Sequence, residues 1–136
     1  GTEVTETEGE KITTYKLPSL ENKKLDEARQ LLTANNITNQ IIIGNGDKVI
    51  NQYPEKNISI TNKDKIFLVT NDSNITIPDV NGYSSKDATS LLNLLGIKTK
   101  LTGTGYVTAQ SIAAGTAITQ GMEIELTLNP KFDAGQ

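Results

Sequence analysis

One pattern is written twice in this chain, about sixty residues apart, and the duplication limits what the chain can fold into. Leu17-Pro18-Ser19-Leu20 returns as Ile77-Pro78-Asp79-Val80, Ala28-Arg29-Gln30-Leu31-Leu32 as Ala88-Thr89-Ser90-Leu91-Leu92, and Asn36-Ile37 as Gly96-Ile97, each at an offset of 60. From Gln52, which matches Gln110, the offset is 58, and Ile60, Ile66 and Leu68 keep it against Ile118, Ile124 and Leu126. Repeats of this length are small supersecondary units, and each is near the size at which a lone core is marginal. The chain therefore reads as two modules rather than one domain around one active site, which favours a binding or spacer role.

The ends differ in composition from the repeats. Residues 1–14 are rich in Glu, Thr and Gly and are expected to be a solvated leader or linker; 15–73 form the first repeat, 74–130 the second and 131–136 a polar tail. Glu3, Glu6, Glu8 and Glu10 against Lys11 account for the whole net charge of -3. Beyond Tyr15 the chain is neutral and has no Lys/Arg cluster to neutralise a run of phosphates, so nucleic acid is a poor candidate partner. No apolar run approaches the ~18 residues of a membrane span, and no signal peptide is visible. The Asn-X-Ser/Thr triplets at Asn36, Asn57, Asn71 and Asn74 are expected by chance in so Asn-rich a chain.

Within the second repeat, Ala88, Leu91, Leu92 and Leu95 stand at i, i+3, i+4 and i+7, the stripe of an amphipathic helix. Ser84 three residues before Asp87 is a capping-box-like start, and Gly96 supplies the left-handed residue that ends the helix. The first repeat has Leu25, Ala28, Leu31 and Leu32, with Asn36 in place of the glycine; Asn also tolerates that conformation. After each helix the apolar period changes from 3.6 to 2. Strands are expected over 37–43, 48–53 and 65–70, and from Ile97, Tyr106 and Ile124 in the second repeat. The fold class is thus α+β, each module one helix packed on a small three-stranded sheet whose other face is wet or docked. Ala88, Leu91, Leu92, Ile97, Leu101, Ile124, Leu126 and Leu128 are the expected core of the second repeat.

Absent residue types exclude much chemistry. Without Cys or His there is no thiol nucleophile, Ser-His triad, thiolate or imidazole metal site, or disulfide, and no metal or cofactor is expected. No Ser is followed by x-x-Lys, and Ser-x-Asn and Lys-Thr-Gly are missing, so serine acyl transfer is excluded. Gly44-Asn45-Gly46 and Gly103-Thr104-Gly105 lack the Lys-Ser/Thr of a phosphate loop and lead into strands, so they read as tight connections between the first and second strands. Candidate ligand-binding residues are few. Arg29 is the only arginine and so the only rigid bidentate clamp for a carboxylate, although its position beside Ala28 also suits a solvated helix face. Tyr53, Tyr83 and Tyr106 could stack on a sugar or a partner, or be edge-of-core aromatics with wet hydroxyls.

The order apolar-Pro-x-apolar, helix with Ala-x-x-Leu-Leu, Gly/Asn-Ile, Gly-x-Gly-x-Val, Gln, then Ile-x-Leu-x-apolar resembles the PASTA repeat, over nearly all of Tyr15 to Asn129. Gly103 to Ser111, Thr116 to Ile118 and Ile124 to Leu128 look like terminal repeats of division-type, class B penicillin-binding proteins, and Tyr15-Lys-Leu-Pro18 looks like the start of their first repeat. The first repeat departs from the pattern, with Asn22 where the second has Gly82 and Asn57 where it has Gly115, which puts any contact needing bare glycine backbone in doubt. The resemblance implies a non-catalytic, extracellular appendage of a Gram-positive peptidoglycan transpeptidase, tethered at the membrane by an N-terminal anchor outside this chain. Its implied partners are its own transpeptidase domain, division proteins and peptidoglycan, in septal cell-wall synthesis. The family also implies an alternative, a muropeptide-sensing module of a serine/threonine kinase ectodomain. A third reading, β-lactam binding, would be weak and non-covalent without a nucleophile.

Overall fold

The structure, a computed structural model, describes residues 4–7 and 10–130, with side chains described from residue 12. It contains β1 (Val4–Thr7), β2 (Glu10–Lys16), α1 (Leu25–Ala34), β3 (Gln40–Ile43), β4 (Val49–Tyr53), β5 (Ser59–Thr61), β6 (Ile66–Thr70), α2 (Ser85–Leu94), β7 (Lys98–Gly103), β8 (Tyr106–Gln110) and β9 (Glu123–Asn129). Two compact units divide between Asp72 and Ser73. Each has the helix and three-stranded sheet expected of an α+β module.

The helices end alike for one physical reason. Asn36 N–H donates to Thr33 O and Ile37 N–H to Leu32 O, and Gly96 and Ile97 donate to Asn93 and Leu92 in the same way. This is a Schellman close, which needs a left-handed residue; Asn36 has φ 65° and Gly96 φ 81°. Asn22 at 72° and Asn57 at 70° likewise reproduce the conformations of Gly82 and Gly115. Asparagine thus preserves the backbone path at these three places, whereas Lys63, which stands where the second repeat has Gly121 at φ 75°, does not take up the left-handed conformation.

In the sheet that follows each helix the last strand lies in the middle. The orders are β3-β6-β4 and β7-β9-β8, the first pair of each parallel and the second antiparallel. The glycine loops are therefore not hairpins: the strands they join flank β6 or β9, and the chain crosses over the end of that strand. A Cβ on Gly103 or Gly105 would overlap the carbonyl oxygen of Leu128 or Asn129. Glycine is thus required by close backbone passage as well as by positive φ. Register also refines the repeat. Ile66 pairs with Gln40 and its counterpart Ile124 with Thr99, so the offset is 59 in the first strand and falls to 58 only beyond the loop. The first repeat's loop is thus one residue longer.

Alternation in β9 is complete: Ile124, Leu126 and Leu128 are buried, while Glu123, Glu125 and Thr127 are exposed. Ala88, Leu91, Leu92 and Ile97 are buried as expected. Leu101 is not, being 44% exposed. It pairs with Leu126 on the inner side of the sheet, but β7 is an edge strand, so only one flank has a neighbour. The first unit's core gathers Leu17, Leu20, Ala28, Leu32, Ile37, Val49, Ile60, Ile66 and Leu68. Fully burying each such Leu or Ile is worth roughly 2 kcal/mol. Unlike β9, β6 is buried at all five positions, Phe67 and Val69 included.

Residues 1–3 and 8–9 of the expected leader and the whole expected tail, 131–136, lie outside the described residues. The rest of the expected leader is strand. β2 pairs with β1 and, from Thr14 to Lys16, with β5, and Thr13 N–H donates to Asn62 Oδ1 at 3.0 Å. The Glu content suggested solvation, but Thr13, Thr14 and Tyr15 favour an extended chain once β5 offers a partner. The second repeat retains one rung of this pairing, Thr76 with Ala117, the counterpart of Lys16 with Ser59.

Candidate functional site

The repeated glutamines organise each module's N-terminal segment. Leu20 N–H donates to Gln52 Oε1 at 2.6 Å, and Gln52 Nε2 donates to Pro18 O and Pro54 O at 3.2 Å each. In the second unit Val80 N–H donates to Gln110 Oε1 at 3.0 Å, and Gln110 Nε2 donates to Pro78 O and Ile112 O. One amide thus satisfies three backbone groups that no strand could reach, tying the Pro-x-apolar segment to the end of the second strand. The clamp fixes where each helix begins.

The helix starts differ. Ser84 caps α2 by accepting from Asp87 N–H at 3.1 Å, whereas Lys24 at the start of α1 makes no side-chain cap. An open cleft of about 380 Å³ lies there, lined by Lys24, Leu25, Asp26, Gly46 and Asp47. It was not anticipated from sequence; the available signal was a lysine where the second repeat has its serine. Leu25 N–H donates across it to Asp47 O at 2.8 Å, tying the helix to the glycine loop.

The four candidate residues are spread over both units. Arg29 is exposed on α1, and its backbone carbonyl accepts from Gln40 Nε2 at 3.3 Å. Tyr53 ends β4, half-buried and opposite Phe67. Tyr83 is half-buried immediately before the Ser84 cap, and Tyr106 is 42% exposed at the start of β8. The backbone brings these last two together: Ser84 bridges Tyr106, and Val107 N–H donates to Tyr83 O at 2.9 Å. Burial pushes the Tyr83 phenol above its ordinary value of 10.0, and the carboxylates of Asp79 and Asp87 push it further in the same direction. Burial also raises Tyr15. Among the described residues no three of His, Cys, Asp and Glu gather to hold a metal, and no helix is long and apolar enough to cross a membrane.

A family model described as PASTA domain matches residues 15–72 and again residues 75–130. The chain is a tandem pair of PASTA domains. PASTA domains are non-catalytic extracellular modules. Among solved structures, the pair is similar to penicillin binding protein 2X from Streptococcus thermophilus, with 28% identity and a TM-score of 0.71 over 86% of this chain. It spans 17% of that protein. It also matches the three-PASTA-domain of a Ser/Thr kinase from Staphylococcus aureus, with 19% identity and a TM-score of 0.38 over 87% of this chain and 66% of that one. The entire extracellular region of the Ser/Thr kinase PrkC from Staphylococcus aureus matches with 20% identity and a TM-score of 0.38, over 90% of this chain and 49% of that one.

Proposed function

We propose that this PASTA pair is an appendage of a penicillin-binding protein, where it positions or supports the transpeptidase in septal peptidoglycan synthesis. The observation that supports this reading is the likeness to penicillin binding protein 2X, 28% identical over 86% of the chain. On this reading the acyl-transfer serine and the membrane anchor lie N-terminal to Gly1, and the pair contributes surfaces to its own transpeptidase domain, to division proteins and to peptidoglycan. Arg29 is suited to clamp a stem-peptide carboxylate, and Tyr53, Tyr83 and Tyr106 to stack on sugar or protein.

The test compares the full-length parent with a form lacking residues 15–130. Retained acylation by a fluorescent penicillin with lost septal localisation is the expected result; unchanged localisation would overturn the reading. Titration of the isotope-labelled pair with defined, uncross-linked muropeptides examines the alternative, a muropeptide-sensing module of a kinase ectodomain. Saturable amide shifts around Arg29 or a tyrosine would favour sensing. Silence at millimolar ligand would leave positioning through protein contacts.

A further inference from the structure

We propose that Asn45, in the loop between β3 and β4, is a site of spontaneous deamidation that the matching loop of the second repeat lacks. Two Asn-Gly steps occur in the chain, Asn45-Gly46 and Asn81-Gly82, and both asparagines are exposed. Glycine offers no Cβ to shield its nitrogen, which makes this dipeptide the reactive one. The Gly46 backbone nitrogen, losing its proton to solvent base, bonds to Asn45 Cγ, and the side-chain nitrogen leaves as ammonia. Water then opens the cyclic imide at either carbonyl, giving aspartate or isoaspartate. The net change is amide plus water to acid plus ammonia, with no other reactant.

What separates the two steps is the hold on the glycine nitrogen. Gly82 N–H donates to Val107 O at 2.8 Å, and Val107 N–H returns a bond to Tyr83 O at 2.9 Å, so releasing Gly82 means breaking the backbone bridge between the helix start and β8. Gly46 N–H donates instead to a side chain, Thr70 Oγ1, at 2.9 Å, and Thr70 in turn donates to Ile43 O at 2.9 Å. Asn45 N–H is held by the Asp72 carboxylate at 2.9 Å. The loop's backbone ties, Leu25 N–H to Asp47 O and Asn71 N–H to Lys48 O, lie beyond Gly46, and releasing a glycine nitrogen held by one side-chain hydroxyl takes less than opening a bridge of reciprocal backbone bonds.

The hazard is built into the fold, because a Cβ at Gly46 would overlap Asn71 and glycine cannot be exchanged there without reshaping the loop. The second repeat has Thr104 between its loop glycines and Leu128 where the first has Thr70, so it has neither the reactive amide nor the guarding hydroxyl. Conversion would set a new carboxylate among Asp47 and Asp72. As isoaspartate it would also add a backbone carbon to the segment that carries Gly46 to Thr70.

The experiment ages the folded chain in warm, mildly alkaline buffer and maps its peptides by mass and by isoaspartyl methylation. Asn45 is expected to convert about tenfold sooner than Asn81, the ratio that one extra protecting hydrogen bond gives at the upper end of its usual worth. Thr70→Val, which removes the hydroxyl, should speed Asn45 and leave Asn81 unchanged, while Thr70→Ser should stay slow. If Thr70→Val unfolds the first unit, Asn45 will accelerate for that reason alone while Asn81 in the second unit stays slow, so the variant counts only where it remains folded by circular dichroism, and otherwise the wild-type comparison decides. Equal rates at the two sites in the folded wild type, or an unaltered Asn45 rate in folded Thr70→Val, would overturn the assignment.

Discussion

Truncating the first clamp, Gln52→Ala, tests how the modules are held. Gln52 is 5% exposed, and Leu20, whose N–H it accepts, is fully buried. Removing the side chain strands that N–H away from water, costing ~1–3 kcal/mol, and deletes two bonds worth about 0.5–1.5 kcal/mol each. Those two end on carbonyls of the half-buried Pro18 and Pro54, which water can reach, so they count at the low end. The sum is roughly 2–4 kcal/mol. At about 0.05–0.15 kcal/mol per residue, a repeat of about sixty residues holds only ~3–9 kcal/mol in all. The first unit should therefore lose a large part of its stability, read as a lower urea midpoint at unchanged slope. Gln52→Glu sharpens the test, since a carboxylate would face two carbonyl oxygens in a buried place, raising its folded pKa. Its stability should be present below the ordinary carboxyl value of about 4.3 and be lost as pH rises through the raised folded value. A loss below about 1 kcal/mol for Gln52→Ala, or a Gln52→Glu variant indifferent to pH, would refute the clamp.

Two further outcomes follow from the helix starts and from Tyr83. Ser84→Ala should cost the second unit ~1 kcal/mol, while Lys24→Ser should gain the first unit a comparable amount by supplying the missing cap, both read by urea unfolding. Because the Tyr83 phenol is raised in the folded state, stability linked to it is present below the ordinary value of 10.0 and lost as pH climbs through the folded value. Phenolate absorbance should show Tyr83 titrating late. Tyr83→Phe should move alkaline unfolding to higher pH, and no change there would count against the argument.

Most of the local structure was legible because it rests on short-range chemistry. The stripe Ala88, Leu91, Leu92 faces the core, Ser84 caps, and Asn36 stands in for glycine, each readable from a few neighbouring residues. Strand order was not, since alternation marks Ile124 and Leu126 as a strand without saying that it will lie between the two earlier ones. That is why Leu101 read as core and why the glycine loops read as tight connections. β2 was hidden by its Glu-rich surroundings, and its partner Ser59-Ile60-Thr61 is too short to announce itself. Of the candidate site residues, exposure could be guessed for Arg29 and Tyr106. The approach of Tyr83 to Tyr106 depends on a bridge between distant segments, and the cleft beside Lys24 depends on a cap that is absent.

The central position of β6 and β9 also governs the order in which the modules can mature. A parallel pair such as β7 and β9 cannot zip from a turn; it waits until the intervening chain has come round, a long loop to close before any contact rewards it. During vectorial synthesis the helix and both flanking strands of a repeat emerge before the strand that joins them. Each repeat is thus completed by its own final segment, and the first can close while the second is still being made. A chain interrupted just short of Glu123 would lose the second repeat's whole sheet and leave the first intact.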